Sequence, residues 1–231
     1  INSEYSNNGG NLKNCYLIFN STYSEDCMYG NALVESNNCL DNSNIYKSEL
    51  CYENFRLGNC SRAFFSNGVG ESINIWFSKN LVNCQDCFGC VNLRGKKYHI
   101  FNKPYSKEEY EEEIKKFDIG SYKETQDLLK KVQDFWLQFP NRYYEGVQNV
   151  DVSGEYIYGS KNVKDTYQAV GAEDCKYCQY INHPPTKDCY DHSVFGERAT
   201  LSYECAMLGD GAYNTKFSIH CWSEIKNLEY C

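Results

Sequence analysis

Two cysteine clusters are the residues of this sequence whose type and spacing most directly suggest chemistry. Cys84, Cys87 and Cys90 form a CxxCxxC motif, and Cys175 and Cys178 form a separate CxxC pair. Cysteine thiolates with two residues between them are typical zinc ligands, and zinc prefers four ligands in a tetrahedral arrangement. These five cysteines are therefore the predicted metal site, with zinc as the candidate ion and no other cofactor expected.

The same spacing allows a structural interpretation. His99 can supply a fourth ligand to the CxxCxxC triplet, but a zinc ribbon has two CxxC pairs about 15 to 20 residues apart, and that separation is absent. Cysteines three residues apart also arise where a strand turns a corner and keeps small residues inward. Both interpretations stay open, and the structural one is favoured.

The best candidate for catalysis is the polar run from Asp188 to Ser193, which contains carboxylates, a thiol, an imidazole and a hydroxyl. Alternate residues of a strand face opposite sides, so Asp191 and Ser193 are expected on one face and His192 on the other. Residues that are adjacent in sequence therefore form no catalytic triad by themselves. We therefore assign no catalytic residue.

The elements that carry these residues are indicated by a repeat. Cys15, Cys27, Cys39 and Cys51 are spaced by twelve, each after Asn, Asp or Leu, and Cys60 then follows after nine residues, which suggests a slip of phase. A constant residue type at a constant interval predicts stacked, equivalent coils. The predicted fold is mainly β: a parallel β-helix, or solenoid, interrupted by an α-helical hairpin.

Twelve residues can form half of a wide coil or one narrow full coil. The half-coil is favoured, because a narrow coil leaves little interior for the 21 Tyr and 12 Phe of this chain. In either coil the periodic cysteines can be buried free thiols or disulfides between coils, and free thiols are favoured.

A second series marks the domain organisation. The pattern NLxxC ends at Cys15, Cys84 and Cys231. The predicted organisation is a first solenoid lobe over 1–103, a helical insertion over 104–140 and a second lobe over 141–231, truncated at its C-terminus.

The insertion carries helical signals. Ser106 precedes KEEYEEEIKKF and can cap a helix, and a second helix is expected over 123–138, with Leu128, Val132, Trp136 and Leu137 on its apolar face. An apolar stripe at helical spacing predicts packing against the protein itself, over an end or flank of the coils.

Composition excludes some partners. The net charge of -8 and pI near 5.1 argue against nucleic acid, which needs a basic surface. No apolar run approaches the length of a membrane-spanning helix, which is about 20 residues.

The string NCQDCFGCVNLRGKKYHIFNKPYSKEEYE, from Asn83 onward, resembles a signature of uncharacterised Cys-rich repeat proteins from uncultivated bacteria. In that family the signature tends to occur twice, after zinc-ribbon-like modules. The resemblance implies a larger protein and slightly favours a reducing cytoplasm, and it carries no catalytic residue to this chain.

The functional expectation is a non-enzymatic structural or binding scaffold for a protein or a glycan. A metal- or redox-active Cys-cluster protein is the alternative, and a carbohydrate-active enzyme on a β-helix is the second alternative. The oligomeric state is left open.

Overall fold

The computed structural model describes residues 2–181, 185–196, 198–221 and 224–231. The chain forms two compact units, 1–140 and 141–231. Each unit contains one large sheet in which nearly every strand pairs in parallel, so the prediction of a mainly β, parallel architecture is confirmed.

The first unit contains eleven strands and two helices among its described residues. Its strands are β1 (Tyr16–Phe19), β2 (Met28–Val34), β3 (Asn37–Tyr46), β4 (Glu49–Gly58), β5 (Ser61–Phe64), β6 (Asn67–Gly70), β7 (Ile73–Trp76), β8 (Lys79–Val82), β9 (Gln85–Phe88), β10 (Lys97–Ile100) and β11 (Lys103–Pro104). Its helices are α1 (Lys107–Ile114) and α2 (Tyr122–Trp136).

The second unit consists of nine strands in the part that the structure describes. They are β12 (Gly146–Val147), β13 (Val150–Tyr158), β14 (Lys161–Val170), β15 (Ala172–Glu173), β16 (Gln179–Ile181), β17 (Thr186–Phe195), β18 (Thr200–Leu208), β19 (Tyr213–Lys216) and β20 (Lys226–Glu229).

Strand neighbours in the first unit lie twelve residues apart. Met28 pairs with Leu40, Leu40 with Tyr52, and Tyr52 with Phe64. We call each twelve-residue segment a rung, and residues at one position in successive rungs a column. The expected half-coil, which returns to the same position after 24 residues, is therefore wrong, because the step between hydrogen-bonded neighbours is twelve.

The register does not slip at Cys60. Glu49 pairs with Ser61 and Phe55 with Asn67, so the twelve-residue step continues through this region. Cys60 belongs to a different column from Cys51, one that also holds Ser48. The expected slip is wrong, because nine residues move the side chain to another buried position of the same rung.

Buried residues recur every three residues rather than every two. In one rung, Cys15, Ile18, Ser21 and Ser24 are all buried. The residue before each buried position has a positive φ, as in Asn14 (φ 51), Leu17 (φ 50) and Asn20 (φ 52). Asn adopts this left-handed conformation at low cost, which explains why so many buried residues follow Asn or Asp.

Small polar side chains in the buried columns satisfy the backbone. The Ser48 hydroxyl donates to the carbonyl of Tyr46 (2.9 Å) and accepts a hydrogen bond from the Cys60 backbone N–H (3.2 Å). The Cys60 thiol in turn donates to the carbonyl of Gly58 (3.4 Å). Ser and Cys therefore fill the same structural role, because buried backbone N–H groups must find an acceptor.

The second unit has the same parallel pairing with a less constant step. Val152 pairs with Val163 at a step of eleven, Tyr167 with Gln179 at twelve, Gln179 with Ser193 at fourteen, and Thr200 with Tyr213 at thirteen.

Helices α1 and α2 pack on a flank of the first unit. Ser106 caps α1, as predicted, and forms a capping box with Glu109. Leu128, Val132 and Trp136 join a cluster with aromatic residues of the strands. Leu137, which was expected on the same apolar face, is instead largely exposed, and α2 ends at Trp136 rather than at residue 138.

In the described part of the chain, neither helix has the length and apolar character required to cross a bilayer.

Candidate functional site

Two adjacent outward columns of the first unit form an apolar surface that we call the aromatic stripe. One column contains Glu4, Tyr16, Met28, Leu40, Tyr52, Phe64, Trp76, Phe88 and Ile100, and the other contains Tyr5, Leu17, Tyr29, Asp41, Glu53, Phe65, Phe77, Gly89 and Phe101. Rings on successive rungs contact each other, as Phe64 and Trp76 do with centroids 3.9 Å apart. The register thus places like side chains along one line.

The helical insertion covers the half of the stripe from Phe65 to Phe101, the covered half. Phe117 stacks on Phe88 with centroids 4.5 Å apart, and Phe135 meets Phe101 edge to face at 5.2 Å. Gly89 makes room for this packing: it has φ +64, and a Cβ there would lie 3.0 Å from the ring of Phe101. Phe77, in the same column, is fully buried.

The remaining half, from Glu4 to Glu53, leaves several of its apolar side chains exposed and is here called the open half. Tyr5 is 70% exposed, Met28 44% and Tyr29 50%. Tyr16 lies between two tyrosines, with ring centroids 5.6 Å from Tyr5 and 5.8 Å from Tyr29. The open half is therefore an organised, solvent-exposed apolar surface.

A shallow groove of about 510 Å³ lies along one edge of the open half, at Leu17, Tyr29 and Asp41. Leu17, Phe19 and Tyr29 form its apolar wall, and Asn31 and Asp41 contribute polar groups. Exposed rings beside amide and carboxylate groups can stack on a ligand and hydrogen-bond to it.

A second groove of about 530 Å³ lies beside the helical insertion. Phe101 and Phe135 line it together with charged residues of both signs, including Lys131 and Asp134. The ammonium group of Lys131 lies over the Phe101 ring, 5.4 Å from its centroid, so part of this surface is already occupied by the protein's own side chain.

The predicted metal residues lie in the buried columns. Three successive inward positions are occupied by Cys84, Cys87 and Cys90, which are 3% exposed or less. In the second unit, two successive inward positions are occupied by Cys175 and Cys178, which are equally buried. All five are free thiols. The structure therefore places the members of each motif side by side but puts the two motifs in different compact units.

The thiol hydrogens of these cysteines have carbonyl acceptors. Cys84 donates to Val82 (3.4 Å), Cys90 to Phe88 (3.4 Å) and Cys175 to Glu173 (3.2 Å). A hydrogen bond with Cys87 and burial both raise the pKa of Cys84. A hydrogen bond to Cys178, together with burial, raises the pKa of Cys175 to about 12, against an opposing effect of Cys189.

Protonated thiols are poor ligands and poor nucleophiles, because the thiolate is the reactive form. Cys90 differs, since its hydrogen bond with Cys87 lowers its pKa.

The ring of His99 turns toward the backbone, with Nδ1 2.6 Å from the carbonyl oxygen of Lys97. Among the described residues, no three His, Cys, Asp or Glu side chains are grouped so that they could hold a metal ion. The zinc site stays a prediction.

The second unit contains a polar cluster that joins Cys189 and His192, both in the Asp188–Ser193 run, to Ser202, which the sequence did not single out. His192 Nδ1 lies 3.0 Å from Ser202 Oγ, and that hydroxyl donates to Cys189 Sγ at 2.9 Å. Asp191 and Ser193 are exposed and His192 is buried, so their expected placement on opposite faces is confirmed. The buried positions recur every three residues rather than every two, and Cys189 and His192 therefore both point inward. The three-residue spacing of Cys189 and His192 is the signal that could have revealed their proximity.

This cluster lacks access for a substrate. Cys189 and His192 are fully buried and Ser202 is 1% exposed. Burial lowers the pKa of His192 to about 4, so its ring is neutral at pH 7. Within the described residues His192 Nε2 has no hydrogen-bond partner. A thiol, an imidazole and a hydroxyl are thus in contact, but they are enclosed in the core.

Comparisons with known proteins leave the chain unassigned to a family. No protein-family model and no curated protein matches it. A proposed acetyltransferase from Desulfovibrio desulfuricans G20 aligns with 96% of this chain and 67% of its own length, at 10% identity and a TM-score of 0.18. A TM-score this low does not indicate a common fold.

Proposed function

We propose that the protein is a non-enzymatic β-solenoid scaffold that presents a repeat surface to a protein or a glycan. In this proposal each unit winds into stacked rungs, and the open half of the aromatic stripe is the binding surface. The strict twelve-residue pairing of the first unit supports the solenoid, because equivalent residues follow one another rung after rung.

The observation that carries the proposal is the contrast along the stripe. Phe77 is buried beneath the helices, whereas Tyr29, in the same column four rungs earlier, is half exposed. Contiguous exposed apolar surface of this kind marks interaction sites. The groove at Leu17, Tyr29 and Asp41 adds polar groups that can orient a ligand.

The test is a binding screen of the full chain against a glycan array and a displayed library of peptides. The stripe variant is Tyr29→Ser. The matched control is Tyr23→Ser, which removes a ring that is 62% exposed in a column outside the stripe. We expect ligands that bind the wild type and Tyr23→Ser at least tenfold more tightly than Tyr29→Ser.

Ligands that bind all three proteins equally, or no ligand in either screen, would contradict the proposal. Incubation of any bound glycan with the protein, followed by mass analysis, separates a scaffold from an enzyme. An unchanged glycan supports the scaffold, and a cleaved one contradicts it.

A further inference from the structure

The first unit already shows how the aromatic stripe binds an amphipathic helix. On the covered half, α2 inserts Leu128, Val132 and Trp136 among the strand aromatics, and Val132 becomes fully buried. Each of these residues follows the previous one by four positions, which places all three on one face of the helix. The same two columns continue without interruption into the open half, where Met28, Tyr29 and Leu40 are exposed.

The dimensions of the open half suit a helix laid along the stripe. Rungs are spaced by about 4.8 Å, and one turn of an α-helix rises about 5.4 Å. A helix in this position therefore presents close to one apolar side chain to each rung. The open half spans the rungs of Glu4 to Glu53, or about 19 Å, which corresponds to about 13 helical residues.

The charges on the open half define the partner further. Every charged residue of these two columns between residues 4 and 53 is acidic: Glu4, Asp41 and Glu53. All three are exposed, and none has an ion pair among the described residues. Beyond the buried Cys27 column, the next outward column adds the exposed carboxylate of Asp26, which accepts a hydrogen bond from Asn14 (3.0 Å). A ligand with basic residues beside its apolar face would complement this surface.

We infer that the open half of the aromatic stripe binds an amphipathic, basic α-helix of a partner protein, an inference that rests on the proposed scaffold function. The acidic helix α1 of a second copy fits poorly, because Glu108, Glu109 and Glu111 would meet like charges on Asp41 and Glu53. Helix-in-groove binding through residues spaced by three and four is an established mode of recognition.

The inference is tested with three labelled synthetic peptides of fourteen residues and the full chain, by fluorescence anisotropy. The first peptide places Leu on one helical face and Lys on the other. The second replaces every Lys with Glu, and the third scrambles the Leu and Lys positions so that no apolar face forms. We expect the first peptide to bind at least tenfold more tightly than either of the others.

Protein variants locate the binding. Asp41→Lys with Glu53→Lys should weaken binding of the Leu and Lys peptide at least tenfold, and Tyr29→Ser should do the same. The matched control is Glu71→Lys with Glu35→Lys, which makes the same change of net charge in a column outside the stripe and should alter the Kd less than twofold.

Equal binding of the scrambled or Glu peptide, or equal effects of the two charge variants, would overturn the helix inference. These outcomes are distinct from failure of the scaffold proposal. A glycan that requires Tyr29, together with absence of helix binding, refutes this inference and leaves the scaffold standing. Absence of every ligand that depends on Tyr29 refutes both.

Discussion

Cys60 lies directly after Ser48 in one buried column, and its backbone N–H donates a hydrogen bond to the Ser48 hydroxyl at 3.2 Å. The pair explains why Ser and Cys exchange along the columns: either side chain fills the small buried position and donates to a nearby backbone carbonyl. A thiol here is a structural residue, even though its sequence spacing resembles that of a ligand.

Ser48→Ala should destabilise the first unit by about 1 to 3 kcal/mol, because it leaves the buried N–H of Cys60 without its acceptor. Ser61→Ala is the matched control, since the Ser61 hydroxyl bonds an exposed carboxylate and its loss should cost about 0.5 kcal/mol or less. Unfolding in urea measures both changes. Equal effects of the two variants would contradict the role assigned to Ser48.

Cys60→Ser should change the free energy of unfolding by less than about 1 kcal/mol, because Ser occupies the same column in the rungs before and after. Cys60→Leu should cost about 1 to 3 kcal/mol through overpacking of the buried position. The same urea titration compares the two. A larger loss for Ser than for Leu would show that the thiol has a role that a hydroxyl cannot fill.

Thiol titration of the native protein should label Cys231 quickly and Cys221 slowly, because Cys231 is exposed and Cys221 partly so, whereas the other twelve thiols are buried. All fourteen should react after unfolding in guanidinium. We also expect less than one zinc ion per chain by elemental analysis, and no change in Tm on addition of a chelator. Stoichiometric zinc that is lost in Cys87→Ser would instead establish the predicted metal site.

Phe77→Ala should cost about 3 to 5 kcal/mol, since it opens a cavity beneath the helical insertion. Tyr29→Ala, in the same column of the open half, should cost about 1 kcal/mol or less because half of that side chain is exposed. Thermal or urea unfolding tests this contrast, and similar losses for the two variants would mean that the halves of the stripe do not differ in packing.

Acid should weaken the second unit through His192. The pKa of this histidine is about 4 in the folded protein because of burial, against 6.5 for a histidine in water, so the unfolded chain binds more protons. Stability is therefore full above about pH 6.5 and is lost as the pH falls toward 4, by at most about 3 kcal/mol.

Hydrogen exchange of peptides from β17 and β18, measured between pH 7.5 and 4.5, checks this dependence with correction for intrinsic exchange rates. His192→Gln should flatten the profile, whereas His220→Gln, an exposed histidine of the same unit, should leave it unchanged. A profile that is the same in both variants would remove His192 as its cause.

Features that repeat along the chain or depend on local chemistry could be predicted from the residues alone. Twelve-residue spacing of Cys15, Cys27, Cys39 and Cys51 was enough to predict parallel strands in a stacked register, and Ser106 marked the start of α1 correctly. Such signals are local or periodic, so a linear reading of the chain detects them.

Which residues share a column, and which surface is covered, depend on how the chain folds in three dimensions. A residue in three adopts a left-handed backbone, and Asn14, Leu17 and Tyr23 all do so, although Leu and Tyr carry no sequence signal for that conformation. With that conformation, buried residues recur every three residues rather than every two, and hydrogen-bonded neighbours lie twelve residues apart rather than 24. Cys60 then stays in register, and His192 lies on the same side of its strand as Cys189. The helices then bury Phe77 and leave Tyr29 open, a difference that depends on packing between segments distant in sequence.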